Sequence, residues 1–299
     1  MNLQTPAAPA VIEVSQTIAN SPGYWSTVAS RLARDKVTLF FGLLLLAIVL
    51  SAILAPWISP VDPYKTNILR RLKEIGYPGH PLGTDQTGRD MLARLIYGGR
   101  LSLFMGVTPV AIALAIGGLL GVLAGYAGGA LNMAIMRTMD IFYAFPSVLL
   151  AIAISGALGA GIGNAILSLS VVFIPPIARV AETITTQVRT LDYVEAARAS
   201  GASSLRIIRI HVLSNVLGAI FVYATSLISV SIILASGLSF LGLGTKPPEP
   251  EWGLMLNELR QAIYVTPYVA ALPGVMIFLT SLSFNLLSDG LRSAMDLKS

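Results

Sequence analysis

The sequence predicts an all-α membrane protein, a polytopic bundle of six transmembrane helices. Three observations lead there. Of 299 residues only 12% are charged and 55% are hydrophobic, whereas an ordinary soluble domain carries roughly a quarter charged residues. The mean hydropathy is +0.74. Long charge-free stretches also alternate with short polar ones, and a helix needs about 20 apolar residues to cross the hydrocarbon core, where its backbone must satisfy itself.

The spans follow in order. Val37 to Val61 holds the first. Leu101 to Met136 is free of charge and contains "GYAGGA", which places a second helix from about Leu103 to Tyr126 and a turn at Gly128 and Gly129. Ile141 to Ala178 is interrupted near "GALGAGIGN", giving helices over about Ile141 to Leu158 and Asn164 to Ala178. Asn215 to Thr245 and Gln261 to Ser288 supply the fifth and sixth. The expected organisation is a cytoplasmic leader and interfacial helix over 1–36, then a transmembrane domain over 37–299 with a polar loop at 179–214. The leader lacks the basic start and short apolar core of a secretory signal. Tyr24, Val28 and Leu32 share one helical face, which suits a helix lying in the membrane interface. A frayed extension of the first span is the alternative. Arg31, Arg34 and Lys36 before the first span favour a cytoplasmic amino terminus. Six spans then bring the carboxy terminus and the 179–214 loop to the same side.

Composition excludes several functions. No cysteine is present, so no disulfide or thiolate site exists, and two histidines give no all-histidine metal cage. The net charge of +5 comes from 20 basic residues dispersed between apolar blocks. That dispersal argues against nucleic acid and for lipid headgroups or acidic protein surfaces. No G-x-x-x-x-G-K-[ST] loop occurs, so the chain has no cradle for ATP phosphates. The expected spans carry no carboxylate near their centres and no internal repeat, as an ion-coupled secondary transporter would. An intramembrane enzyme lacks a nucleophile and base pair among them.

Within the second span Gly117, Gly121, Gly125 and Gly129 recur every four residues. A face without side chains lets another helix come close. Pro146, Pro175, Pro176 and Pro273 remove backbone donors within or beside spans and act as kinks or hinges. Arg137 and Asp140 stand three residues apart, and Asp289 lies farther on, all near the expected cytoplasmic boundary. Arg137 and Asp140 read as a same-face pair anchoring the third span, with a gate as the alternative.

The polar loop holds "DYVEAARASGASSLRIIRIHVLSN", Asp192 to Asn215. Asp192 to Ser200 favours a helix, and Gly201 is placed to end it in a left-handed cap. Ser203 or Ser204 then caps a second helix with Leu205, Ile208 and Val212 on one face and Arg206 and Arg209 elsewhere. Small Ala196, Ala197, Ala199 and Gly201 form a slim surface suited to a groove on another protein, with Glu195 and Arg198 as charged rim contacts. A loop anchored only to lipid headgroups would explain the arginines but not the alanines and glycine.

"EAARASG" followed by "IIRIHVLSN" resembles the cytoplasmic EAA loop of ABC importer permeases. "PLGTDQTGRDMLARLIYGGRLSL" at Pro81 to Leu103, "SFLGLGTKPPEPEWGLML" at Ser239 to Leu256 and "FNLLSDGLRSAMDLK" at Phe284 to Lys298 resemble signatures of the dipeptide, oligopeptide and nickel permeases, second-subunit type. The chain departs from the family in having Ser214 where a proline is usual, Glu182 where an arginine is common, and "SDGLRSAMDLK" in place of a "GDGLRDALDPK" tail. The resemblance implies the type I, MetI-like permease fold in a bacterial cytoplasmic membrane. It implies a homologous permease as partner in a heterodimer, two ATPase subunits that hydrolyse ATP with Mg, and an extracytoplasmic solute-binding protein. No cofactor is then held by this chain. The solute is a dipeptide or short oligopeptide, with nickel, glutathione or another small solute as alternatives. Glu195, Ala196, Ala197, Arg198, Gly201 and Arg206 become the ATPase-docking residues. Asp85, Arg89, Asp90 and Trp252 become contacts for the binding protein. A helix lying on the membrane with solvated charges is the other reading of Asp85, Arg89 and Asp90.

Overall fold

The computed structural model describes residues 24–295, and the expected leader lies outside them. Helix α1 (Tyr24–Arg34) ends at Asp35, whose carboxylate accepts the Val37 N–H at 3.0 Å and the Thr38 hydroxyl and so starts α2 (Lys36–Ile53). The cap makes α1 a helix of its own. Its Val28 is buried, and the helix packs beside α12. A short α3 (Ala55–Ile58) leads into the 59–90 loop.

Helix α4 (Met91–Ala127) has 37 residues and is about 55 Å long at 1.5 Å per residue. It begins well before the expected Leu103. Hydropathy marks only the lipid-compatible part of a helix, whereas here the Asp90 carboxylate accepts the Ala93 N–H at 2.7 Å and the first turns lie beneath other protein. Gly128 and Gly129, at φ +66° and +56°, turn the chain into α5 (Gly129–Tyr143). Helix α6 (Ser147–Leu158) then departs at 86°. The expected continuous third span over Ile141 to Leu158 is therefore broken: Pro146, which has no N–H to continue a ladder, caps α6 at the corner.

Helix α7 (Ile162–Val188) carries Pro175 and Pro176 without ending, and α8 (Asp192–Ala199) follows three residues later. Helix α9 (Ser204–Ile207) passes through a π turn at Ile208–Val212 into α10 (Leu213–Phe240). Helices α11 (Trp252–Leu259) and α12 (Pro267–Met295) complete the described residues. Among the described residues five stretches are long and apolar enough to cross a membrane, and the count is six if the bent α5 and α6 pair forms one span.

The central contact is between α4 and α7. A Cβ built on Gly117, Gly121 or Gly125 would meet the carbonyl oxygen of Ile174, Ala178 or Glu182 at 2.6, 2.3 and 2.7 Å. Residues four apart on one helix thus face carbonyls four apart on the other. Gly129 is not part of this contact: its Cβ would meet nothing within 4 Å, and its place is the turn. Two apolar clusters flank the seam. One joins Met105, Val110, Leu169, Phe173 and Ile177 to Val194, Ile207 and Val212 at the α8 end of the bundle. The other gathers Ile48, Met91, Leu95, Trp252 and Leu259 at the α11 end.

Gly121→Ala puts a methyl group against the Ala178 carbonyl and is expected to cost about 1–3 kcal/mol through overpacking, read as a lowered unfolding midpoint in detergent. Gly118→Ala, where a Cβ meets nothing within 4 Å, leaves the midpoint unchanged.

Candidate functional site

At the α8 end the chain builds a helical hairpin around Gly201. The Gly201 N–H donates to the Arg198 carbonyl at 3.0 Å and the Ala202 N–H to the Ala197 carbonyl at 3.1 Å. These two bonds define a Schellman cap, and Gly201 takes φ +80° in it. Ala197 and Ala202 pack against the apolar cluster below, which fixes the angle of the corner. Val194, Ile207 and Val212 are almost wholly buried and pin both arms to the bundle. Glu195, Ala196, Arg198, Gly201 and Arg206 remain exposed, while Ala197 is half-buried. Glu195 and Arg198 also border a cavity of about 730 Å³ with Tyr126, Arg189 and Ser204.

Two details of this hairpin differ from expectation. Ser203 occupies the cap position of α9, but its side chain makes no capping bond. Of the expected inward face Val212 is buried and Ile208 packs against the cluster, but Leu205 is 77% exposed and Ile207 is buried in its stead. The π turn explains the difference. The Leu213 N–H donates to the Ile208 carbonyl, and a five-residue turn shifts the inward register from a spacing of four to the five between Ile207 and Val212. Periodicity at 3.6 residues per turn does not see that shift.

At the α11 end four residues expected to meet a separate protein are enclosed. Asp85, Arg89, Asp90 and Trp252 are 2%, 5%, 3% and 0% exposed, so none presents a surface to a partner in this structure. Asp85 bonds Arg89 Nε at 2.5 Å, and Arg89 and Arg94 both reach Glu258, at 2.8 and 2.9 Å. Arg94 Nε also lies 3.4 Å from Asp85. Two guanidinium groups thereby face two carboxylates, which is how buried charge is tolerated. Asp90 adds a 2.8 Å contact to His80 Nδ1. The Trp252 indole lies on Gly98 and Gly99 of α4 and donates to the Leu95 carbonyl at 2.9 Å. Beside it, Glu251 accepts the Gly253 and Leu254 N–H groups at 2.8 Å each and the Ser102 hydroxyl at 3.1 Å. Burial pushes the Glu251 carboxyl above its ordinary value, opposed by those N–H groups and by the Ser239 and Ser102 hydroxyls. Neither Glu251 nor Glu258 stands out in the sequence. Glu251 caps α11 locally, but its Ser102 contact and both arginine partners of Glu258 lie on or before α4, far away in the chain and beyond any local pattern.

Between the two ends, Asp140 pairs with Arg179 of α7 and not with the expected Arg137, which is exposed. The Arg179 guanidinium also lies 5.6 Å from the centre of the Tyr143 ring. The partner across the tertiary fold wins over the one a turn away. Glu182, the departure from the family pattern, accepts from the Asn132 amide at 2.6 Å.

Five long apolar helices and one bent pair, with a capped hairpin at one end and a locked polar node at the other, define an α-helical membrane protein. Residues 117–298 match the family described as binding-protein-dependent transport system inner membrane component, and residues 23–74 match the N-terminal TM domain of oligopeptide transport permease C. The chain belongs to this family of ABC importer permeases. It is 41% identical over 274 residues to the glutathione transport system permease protein GsiD of Pectobacterium atrosepticum, covering 92% of this chain and 91% of that one. It is 42% identical over 271 residues to the di/tripeptide transport system permease protein DppC of Pseudomonas aeruginosa, covering 89% of each. An inward-facing structure of the MetNI methionine ABC transporter shares the fold at a TM-score of 0.57 and 21% identity, over 68% of this chain and 97% of that one. The protein is an integral membrane permease subunit of an ABC importer, a transport subunit that works with ATPase and binding-protein partners.

Asp85→Asn leaves Arg89 and Arg94 with a single carboxylate in a closed site. The expected loss is about 3–5 kcal/mol, seen as a collapse of the unfolding midpoint. For Glu251 the folded value is raised, so its contribution is fully present below the ordinary 4.5 and fades as pH rises through the folded value. Wild type should therefore gain on Glu251→Gln as pH falls from neutral towards 4.5, measured as the difference in midpoint.

Proposed function

We propose that this chain is one of two paired permease subunits of an importer of short peptides, set in the bacterial cytoplasmic membrane with both termini in the cytoplasm. The capped hairpin at Asp192–Val212 carries the reading. Its inner side is nailed down by Val194, Ile207 and Val212, and its outer side offers Glu195, Ala196, Arg198, Gly201 and Arg206. A rigid, slim, charged-rim projection is what a grooved partner needs in order to grip and pull. Two ATPase subunits hold the hairpins of the two permeases, hydrolyse ATP with Mg, and swing the paired bundles between outward-open and inward-open arrangements.

The α11 end faces the extracytoplasmic solute-binding protein. There the enclosed Asp85, Arg89, Arg94 and Glu258 network holds the 59–90 loop in place for docking. Lipid headgroups meet the basic residues near the boundaries. Relatives named for di- and tripeptides and for glutathione are equally similar to this chain. Glutathione is itself a tripeptide, so the shared chemistry is a small zwitterion with a peptide backbone.

Gly201→Leu places a side chain at φ +80°, a conformation costing about 1–2 kcal/mol per residue, and blunts the slim corner. Both ATPases are expected to co-purify with wild type and to be lost from the variant while the permease pair stays together; their retention sinks the docking reading. In vesicles holding the full complex, ATP-dependent uptake of labelled dipeptide should be competed by unlabelled dipeptide. Uptake of nickel ions with no response to peptides overturns the solute assignment.

A further inference from the structure

Helix α5 leaves nearly all of its side chains uncovered by the rest of this chain. Of its 15 residues only Met139 is buried, and the chain changes direction at both of its ends. At the start stand Gly128 and Gly129 with positive φ, and at the finish stands the 86° corner that Pro146 caps. Two polar ties join it to α7, Asn132 to Glu182 and Asp140 to Arg179. The second is half exposed, at 40% and 51%, whereas the ion pairs at the α11 end are enclosed. An ion pair left uncovered by its own chain separates at less cost than an enclosed one. Ionised groups on membrane-crossing helices, moreover, face a passage or a partner more readily than lipid.

Helix α7 runs on without a break to Val188, with only Arg189, Thr190 and Leu191 between it and the hairpin helix α8. A pull on α8 therefore moves the segment of α7 that carries Arg179 and Glu182. We propose that α5 is a hinged shutter on the translocation passage, and that the Asp140–Arg179 pair is the latch holding it against α7. This rests on the coupling role of the hairpin proposed above. When α8 is drawn away, Arg179 leaves Asp140 and the Tyr143 ring, and α5 pivots on its glycine and proline ends. Asn132 and Glu182 act as the pivot-side tether. All four are positioning residues, acting through the placement of α5.

The chain has no cysteine, so Asp140→Cys with Arg179→Cys gives one defined thiol pair. The complex with its ATPases, partner permease and loaded binding protein is placed in vesicles. A reducible bis-methanethiosulfonate linker then closes the pair. Uptake is expected to fall at least ten-fold on linkage and to return on reduction. Uptake within two-fold of the unlinked complex at near-complete linkage overturns the latch. Separately, Asp140→Asn and Arg179→Gln are expected to raise ATP hydrolysis without loaded binding protein at least three-fold. The exchange Asp140→Arg with Arg179→Asp is expected to return it to the wild-type rate. A purely structural pair would lower complex yield and leave that unstimulated rate unchanged. ATPase co-purification is scored on every variant, so that loss of coupling through the hairpin is distinguished from failure of the latch.

Discussion

The backbone contact between α4 and α7 is the constraint on which the other features depend. In lipid, association of helices gains little from burying apolar surface, and close packing has to supply the attraction. Gly117, Gly121 and Gly125 let carbonyls of α7 come to the surface of α4 with no side chain between. That distance sets where α7 ends. At that end the Arg189 guanidinium donates to the Tyr126 carbonyl at 3.1 Å, tying the last turn of α7 to the last turn of α4 just before the hairpin begins. The position of α8 is therefore inherited from three glycines far earlier in the chain, on a different helix.

The two ends of α4 treat charge in opposite ways. At the α11 end, charges are buried, paired and hydrogen-bonded, and a buried network of this kind fixes geometry more than it adds stability. Its members come from the 59–90 loop, α4 and α11, so three segments are held in one arrangement. At the α8 end Glu195, Arg198 and Arg206 are left in the open, where their charges remain available to a partner. One end of the subunit is thus fixed by buried pairing and the other keeps its charges exposed. Helix α5 lies between them, with one buried residue and a pair of polar ties to α7.

Much of this was legible in residue order. Charge-free runs located α2, α4, α7, α10 and α12, because the requirement for about 20 apolar residues is local and one-dimensional. The glycine after "EAARAS" located the corner of the hairpin, since only a residue without Cβ takes φ +80° there at no steric cost. Glycines spaced by four located the face of α4 that meets a neighbour, though not which neighbour.

What the tertiary structure decided was partnership and enclosure. Asp140 chose Arg179 over Arg137, and Glu258 joined Arg89 and Arg94, because contacts across the fold depend on where helices cross and not on spacing along one of them. Asp85, Arg89, Asp90 and Trp252 read as surface groups by type, yet α11 and the 59–90 loop close over them. The corner at Pro146 and the π turn at Ile208–Val212 were decided in the same way. Hydropathy averages over a window and periodicity assumes a constant turn, so a sharp bend or one inserted residue becomes visible only when the chain is placed in space.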